Sequence, residues 1–336
     1  MRTQVMAENS TKTANLADAH PNKFGSESQS AQEYHRAAWY ESRSAREQKN
    51  TKSGIVKRRS KLRAKIRNFL FGVGAKIVKA IGLHDHLANR AAKLVLTELD
   101  FHFHDLPPAF DGYRILHISD PHFDSLPQLE EAMLAALDGR SVDIAVVTGD
   151  IADQFNGPWK TFLPPMRRLI SEIAPADGFY AVLGNHDSWR MVAPLEALGV
   201  TMLINETAII DKKGNCISLT GVDDPSNYYS PEADRALWTA PAGFKIALVH
   251  SAELADIACR AGHALYLAGH SHGGQISLPG GLPVMTGMQR LRKFSRGVWR
   301  HGGMAGYTST GVGVSGMPYR LFANGEIALL TLRRKP

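Results

Sequence analysis

The sequence predicts an α/β domain preceded by a basic extension, and three observations carry that prediction. From about residue 105 onward, short apolar, β-branched runs alternate with segments of helical period. Five of the apolar runs end in clusters of Asp, His and Asn. The net charge of +7 is concentrated in one stretch, because residues 48–84 carry eleven Lys and Arg and no Asp or Glu. The rest of the chain therefore sums to −4, a poor surface for a phosphate backbone, and nucleic acid is not an expected partner.

Residues 1–50 are dominated by Ser, Thr, Asn, Gln, Ala and charges without a sustained apolar period, and are expected to be disordered. Residues 51–104 form the basic extension. On a helical wheel Leu62, Ile66, Phe69, Leu70, Val73, Ile77 and Ile81 share an arc of about 120°, with Lys61, Lys65, Lys76 and Lys79 on another face. The longest uncharged run, 68–75, is far below the ~20 residues of a membrane span, so this helix can lie on an anionic membrane but should not cross it. An apolar stripe packed on the body is the equal alternative. A second helical stretch is expected around 85–98, before the break at Leu106-Pro107-Pro108.

The domain proper is placed at 105–336, with strands at 114–119, 143–148, 179–183, 216–222, 245–249 and 264–268. Helices are expected near 127–138, 159–174, 189–198 and 253–261. A composition of 44% hydrophobic and 21% charged residues excludes collagen, coiled coil and a wholly disordered chain. Cys216 and Cys259 could form at most one bridge, so no disulfide framework is expected and a reduced cytoplasm is the default.

Chemistry is expected where those strands end: Asp120-Pro121-His122, Gly149-Asp150, Gly184-Asn185-His186-Asp187, His250, and Gly269-His270-Ser271-His272. In open α/β sheets ligands bind outside the carboxyl ends of strands, so separated motifs can meet. In an extended segment Asp120 with His122, and His270 with His272, would each face one side, and Pro121 would hold Asp120 extended. Oxygen and imidazole donors without thiolate suit Mn²⁺, Fe or Zn²⁺. Two such ions ~3.5–4 Å apart clamp a phosphoryl group, so the implied reaction is metal-assisted hydrolysis of a phosphate ester or anhydride.

These blocks resemble the calcineurin-like metallophosphoesterase superfamily, whose signature runs D-x-H, G-D-x-x-D, G-N-H-[DE], H and G-H-x-H in this order. The resemblance covers about 105–333. It implies two mixed β-sheets packed face to face with flanking helices, a four-layer α/β/β/α sandwich. It also implies Asp120, His122 and His272 on one metal, Asn185, His250 and His270 on the other, and Asp150 bridging. A metal-bound hydroxide would be the nucleophile. His186 would stabilise charge or protonate the leaving oxygen, oriented by the Asp153 carboxylate. For Asp153 and Asp187 a role as loop-capping carboxylates stays equally open, and His117 and His301 are taken as core or surface residues.

His250-Ser251-Ala252 lacks the proline many relatives carry two places after the His. Segments 269–276 and 311–320 are similar to bacterial membrane-associated phosphodiesterases, which include UDP-2,3-diacylglucosamine pyrophosphatases. That likeness implies a phosphodiester or pyrophosphate substrate, lipid-linked substrates included, met at the cytoplasmic face of a membrane. A soluble nucleotide or protein phosphatase and a non-catalytic module are the alternatives. The basic run Arg290 to Arg296 is open as a phosphate-facing or merely solvated loop, and 302–316 reads as turns between closing strands. The extension is expected to be separable from hydrolysis of a small ester.

Overall fold

The computed structural model describes residues 26–49, 55, 73, 76 and 78–336, save 128, 155–158 and 281. The chain divides into two units, Met1–Ser42 and Arg43–Pro336. The tail expected to be disordered holds helix α1 (Ser26–Gln48), which spans that division. Low apolar content argued for disorder, but the last turns of α1 gain their burial through charge: Arg43 is 1% exposed. Most of the basic amphipathic helix read over 62–81 lies outside the described residues. Of its stripe, Val73 and Ile81 are 39% and 61% exposed.

Helix α2 (His84–Ala91) is followed by β1 (Leu94–Phe103), which corrects the expectation of helix to residue 98. The deciding signal is a period of two: Leu99, Phe101 and Phe103 face the core while Glu98, Asp100 and His102 face outward. β1 pairs in parallel with β12 (Gly325–Arg334) over ten residues, from Leu94↔Gly325 to Phe103↔Arg334. The body of the protein therefore begins by Leu94, ahead of the boundary placed at residue 105.

The first sheet runs β1-β12-β2-β3-β4-β5, where β2 is Arg114–Ile118, β3 Ile144–Thr148, β4 Phe179–Val182 and β5 Val200–Met202. The second runs β10-β11-β9-β8-β7-β6, with β6 Glu206–Lys212, β7 Asn215–Gly221, β8 Phe244–Leu248, β9 Leu265–Ala268, β10 Gly297–His301 and β11 Met304–Thr308. Each mixes parallel and antiparallel neighbours; β12 is antiparallel to β2, and β6 to β7.

The sheets pack face to face through one core. Ile115, Ile144, Val146, Val182 and Leu330 come from the first and Ile217, Phe244, Ile246, Leu265 and Leu267 from the second. Alternate residues of the same strands go elsewhere: Ala247, Val249, Tyr266 and Ala268 pack under α6 (Pro231–Thr239) and α7 (Ala255–Arg260). Strands buried on both faces read as continuous apolar runs, which is why the central ones are visible in the sequence. Helices α3 (Leu129–Ala136), α4 (Leu163–Ile173) and α5 (Val192–Glu196) follow β2, β3 and β4 in turn. Among the described residues no helix is long and apolar enough to cross a membrane.

Candidate metal centre

The five motifs meet at the carboxyl ends of strands from both sheets. Asp120 and His122 follow β2, Asp150 follows β3, Asn185 follows β4, His250 follows β8, and His270 and His272 follow β9. Two clusters result. In the first, His272 Nε2 lies 3.4 Å from Asp120 Oδ1 and 3.3 Å from His122 Nε2. In the second, His250 Nε2 lies 3.1 Å from both Asn185 Oδ1 and His270 Nδ1. Asp150 Oδ2 stands between them, 3.7 Å from His122 Nε2 and 3.3 Å from His250 Nε2.

Cations fit these clusters. Donor atoms held at ~2.0–2.2 Å from one ion stand roughly 3.0–3.5 Å apart, close to the separations above. Burial lowers the pKa of His122 and His272, so both rings are neutral and offer lone pairs. The two ring nitrogens facing each other at 3.3 Å stand at the spacing of two donors on a common cation. His250 donates from Nδ1 to the Thr148 carbonyl at 2.7 Å, which turns Nε2 toward the cluster.

The backbone here is not extended. Asp120, His122, Asp150, His270 and His272 have φ of 49°, 41°, 54°, 70° and 51°, all in the left-handed region. The Asp120–His122 and His270–His272 pairs therefore converge through left-handed turns, and Pro121 does not hold Asp120 in β geometry. Non-glycine residues in this region cost of order 1–3 kcal/mol each and persist where surroundings over-determine them. The surroundings here do so. A Cβ on Gly184 would overlap the Asp150 amide and carboxylate, and one on Gly149 would strike Gly184, so only glycine lets these loops touch.

Asp187 supplies the lock. Its carboxylate accepts N–H groups of Asp150, Ile151 and Gly184 at 2.7, 2.8 and 2.8 Å, tying the loops after β3 and β4 together. Burial, with Asp150 nearby, raises its pKa to about 6. Of the two readings left open for Asp187, this geometry is that of a loop-capping carboxylate.

His186 and Asp153 meet differently from the expectation. The His186 ring donates from Nδ1 to the Asp153 carbonyl oxygen at 2.7 Å, while the carboxylate is 3.6 Å away. The carbonyl thus fixes the tautomer and leaves Nε2 without a proton in the neutral ring. The carboxylate instead accepts from Ser315 Oγ at 2.8 Å. Burial disfavours the His186 imidazolium, but Asp150 and the Asp153 carbonyl outweigh it and raise the pKa above 6.5.

Several supporting residues escaped sequence reasoning. Thr148 Oγ1 donates to Ser119 Oγ at 2.8 Å and Ser119 Oγ to Asp120 Oδ2 at 2.5 Å; the buried ring of His117 closes this chain, 2.9 Å from Thr148 Oγ1. The glycine-rich segment after β11 braces the same ligand: the amides of Val312 and Gly313 donate to the carbonyls of Ser119 and Asp120, both at 2.8 Å. Arg320, 2% exposed, holds that segment through the carbonyls of Thr310, Gly311 and Gly313 at 2.8, 2.9 and 2.6 Å. Burial lowers its pKa to about 10. Arg290 pairs with Asp256 at 2.7 Å.

Comparison with known proteins places these residues in context. Residues 113–274 match the family model described as calcineurin-like phosphoesterase, and all nine site residues named from the sequence lie within it. The uncharacterized metallophosphoesterase YkoQ of Bacillus subtilis is 28% identical over 253 residues, 71% of this chain and 91% of its own length. A transmembrane protein with metallophosphoesterase domain from Bos taurus is 28% identical over 273 residues, 74% of this chain and 60% of its own. The solved structure of a Haemophilus influenzae NAD nucleotidase superposes with a TM-score of 0.39 at 14% identity, over 60% of this chain and 45% of that one.

Proposed function

We propose, starting from a chain that carries a calcineurin-like metallophosphoesterase domain and is a metal-dependent phosphoesterase, that its site holds two divalent cations and cleaves a phosphodiester or pyrophosphate bond. The observation that carries this is Asp150 Oδ2, the oxygen shared by two buried donor clusters. Asp120, His122 and His272 would hold one ion, and Asn185, His250 and His270 the other. The mixed oxygen and nitrogen set suits Mn²⁺, with Fe or Zn²⁺ as alternatives. Bound there, such ions would draw charge from the phosphoryl oxygens and bring the pKa of water toward neutrality.

The protein's own groups do the rest. His186, partly exposed beside the clusters, carries its proton on Nε2 when charged and would hand it to the leaving oxygen. The Asp153 carbonyl keeps the other ring nitrogen occupied. The Asp187 lock prevents the loops after β3 and β4 from separating as charge develops.

A membrane surface is the proposed workplace, and a lipid-linked nucleotide diphosphate the proposed substrate class. Residues 257–325 carry seven Lys and Arg and no Asp or Glu, an asymmetry that the overall charge of the body conceals. Inside this stretch Leu278 donates its amide to the Leu282 carbonyl at 2.9 Å, forming a small hairpin. Its Leu278, Leu282 and Val284 are 52%, 65% and 62% exposed. Gly274 packs on Pro283 and Gly287 on His270, so the hairpin borders the metal ligands. Exposed apolar side chains bordering the site suit an apolar substrate tail or a bilayer surface.

The test is to strip the protein of metal, restore Mn²⁺, and assay bis-p-nitrophenyl phosphate, its monoester, and a lipid-linked nucleotide diphosphate in anionic vesicles. Diesterase activity that depends on Mn²⁺, with fastest turnover of the vesicle substrate, is expected. Activity that survives a strong chelator would overturn the metal reading. Preference for the monoester in solution would overturn the membrane reading in favour of a soluble phosphatase.

A further inference from the structure

Helix α1 lies wholly outside the family match, yet its last turns reach the loop that carries Asn185 and His186. Arg43 Nη2 donates to the Asp187 carbonyl at 2.7 Å and reaches the Gly184 carbonyl at 3.4 Å, bracketing those residues. Its Nη1 pairs with Asp223 at 2.5 Å, and its guanidinium lies 3.3 Å over the Tyr228 ring. Glu47 receives Arg43 Nε at 2.8 Å, Ser188 Oγ at 2.7 Å and the Trp189 amide at 3.0 Å, so it holds the far end of the same loop.

Arg43 therefore joins two loops, the one after β4 and the one after β7, that flank the Asn185–His250–His270 cluster. Asn227 of the second loop lies against the Asn185 carbonyl at 3.4 Å, which closes the circuit. A fully charged, planar group with partners on three sides is suited to fix loop position, because every partner constrains it in a different direction. The donor clusters and the Asp187 lock leave the outer side of the 184–189 loop to Arg43 and Glu47.

We propose that Arg43 and Glu47 are positioning residues for the cation site built on Asn185, so that the end of α1 is part of the catalytic unit. The inference rests on the two-cation reading, and it reverses the expectation that the N-terminal extension can be removed without harm to hydrolysis.

The test uses the full chain, metal-stripped, with Mn²⁺ binding followed by calorimetry alongside bis-p-nitrophenyl phosphate kinetics. Wild-type protein should show two binding steps; a single step would defeat the two-cation reading itself. R43Q should weaken one step by about ten- to a hundredfold and spare the other, as loss of a group supporting a ligand does. Its kcat should fall at limiting Mn²⁺ and recover at excess Mn²⁺ with KM unchanged, and R43K should lie between. Both steps within twofold of wild type, or equal weakening of both, would overturn the inference. If R43Q fails to fold, E47Q decides on the same readout, because it keeps Arg43 and its pairing with Asp223: selective weakening of one step supports the proposal, and unchanged affinities overturn it.

Discussion

Replacing Gly287 by alanine probes the second cation site from behind. The residue has φ +70°, and a Cβ there would stand 2.9 Å from His270 Nε2, where ordinary contacts are 3.4–4 Å. His270 faces its neighbour His250 through Nδ1, so the added methyl pushes the ring from its far side toward the donor cluster. Relief requires a movement of about 0.5 Å, the tolerance within which a constellation of this kind must be held. The expected result is roughly a tenfold loss of Mn²⁺ affinity in one binding step, ~1.4 kcal/mol. The left-handed backbone adds about 1–2 kcal/mol of global destabilisation, a fall in melting temperature of some ~2–8 °C. Gly280→Ala separates the two effects, since Gly280 has φ +86° with nothing within 4 Å of its added Cβ. Calorimetry and thermal melts of both variants should show similar losses of stability, with the loss of metal affinity in Gly287→Ala alone. Equal metal affinities in the two variants would refute the placement of His270 as a donor through Nδ1.

The remaining predictions concern charge and protons. Asp150→Asn should lower kcat by more than ~100-fold and weaken both Mn²⁺ binding steps, since one oxygen serves both clusters; weakening of a single step would refute the shared role. His186→Ala should bind Mn²⁺ within twofold of wild type while losing ~100-fold or more in kcat, less so on p-nitrophenyl esters, whose leaving group needs no proton. Lost metal binding would reassign that residue as a ligand. Burial holds His117 and His263 neutral, with pKa values lowered to about 3 and about 4. Unfolded, each titrates near ~6.5, so their stabilisation is complete above that pH and is lost as pH falls toward 4, on the order of 3 kcal/mol for His263. Urea melts of His263→Gln should show the slope of stability against pH reduced by about 1.4 kcal/mol per unit over that range, and an undiminished slope would contradict the assignment.

Much of this protein is legible in its sequence, and the exceptions share physical causes. Central strands such as β3 and β9 announce themselves because both faces are buried. β1 gives a weaker signal because it is half exposed, and its alternation over 97–103 adjoins a helical stretch. The site residues were readable because each motif sits in a short loop. What the sequence concealed was how they converge: Asp120 and His122 do so through left-handed turns, and Asp153 orients His186 through its carbonyl. Arg43 and Arg320 were invisible as supports because their partners are selected by the fold, Arg43 meeting Asp223 across 180 residues. The acid-free run 257–325 could have been found by counting charge along the body segment by segment.

In the first sheet β12 lies between β1 and β2, so a strand made late fills a gap between two made early. During synthesis the Leu94–Phe103 and Arg114–Ile118 segments are completed more than two hundred residues before the segment that joins them emerges. No nascent chain that stops short of Gly325 can complete this sheet, and until then it presents unsatisfied edges to the ribosome surface and to chaperones. Closure is thus a long-range event, and the brace on Asp120 is built only once Val312 and Gly313, just upstream of β12, have emerged.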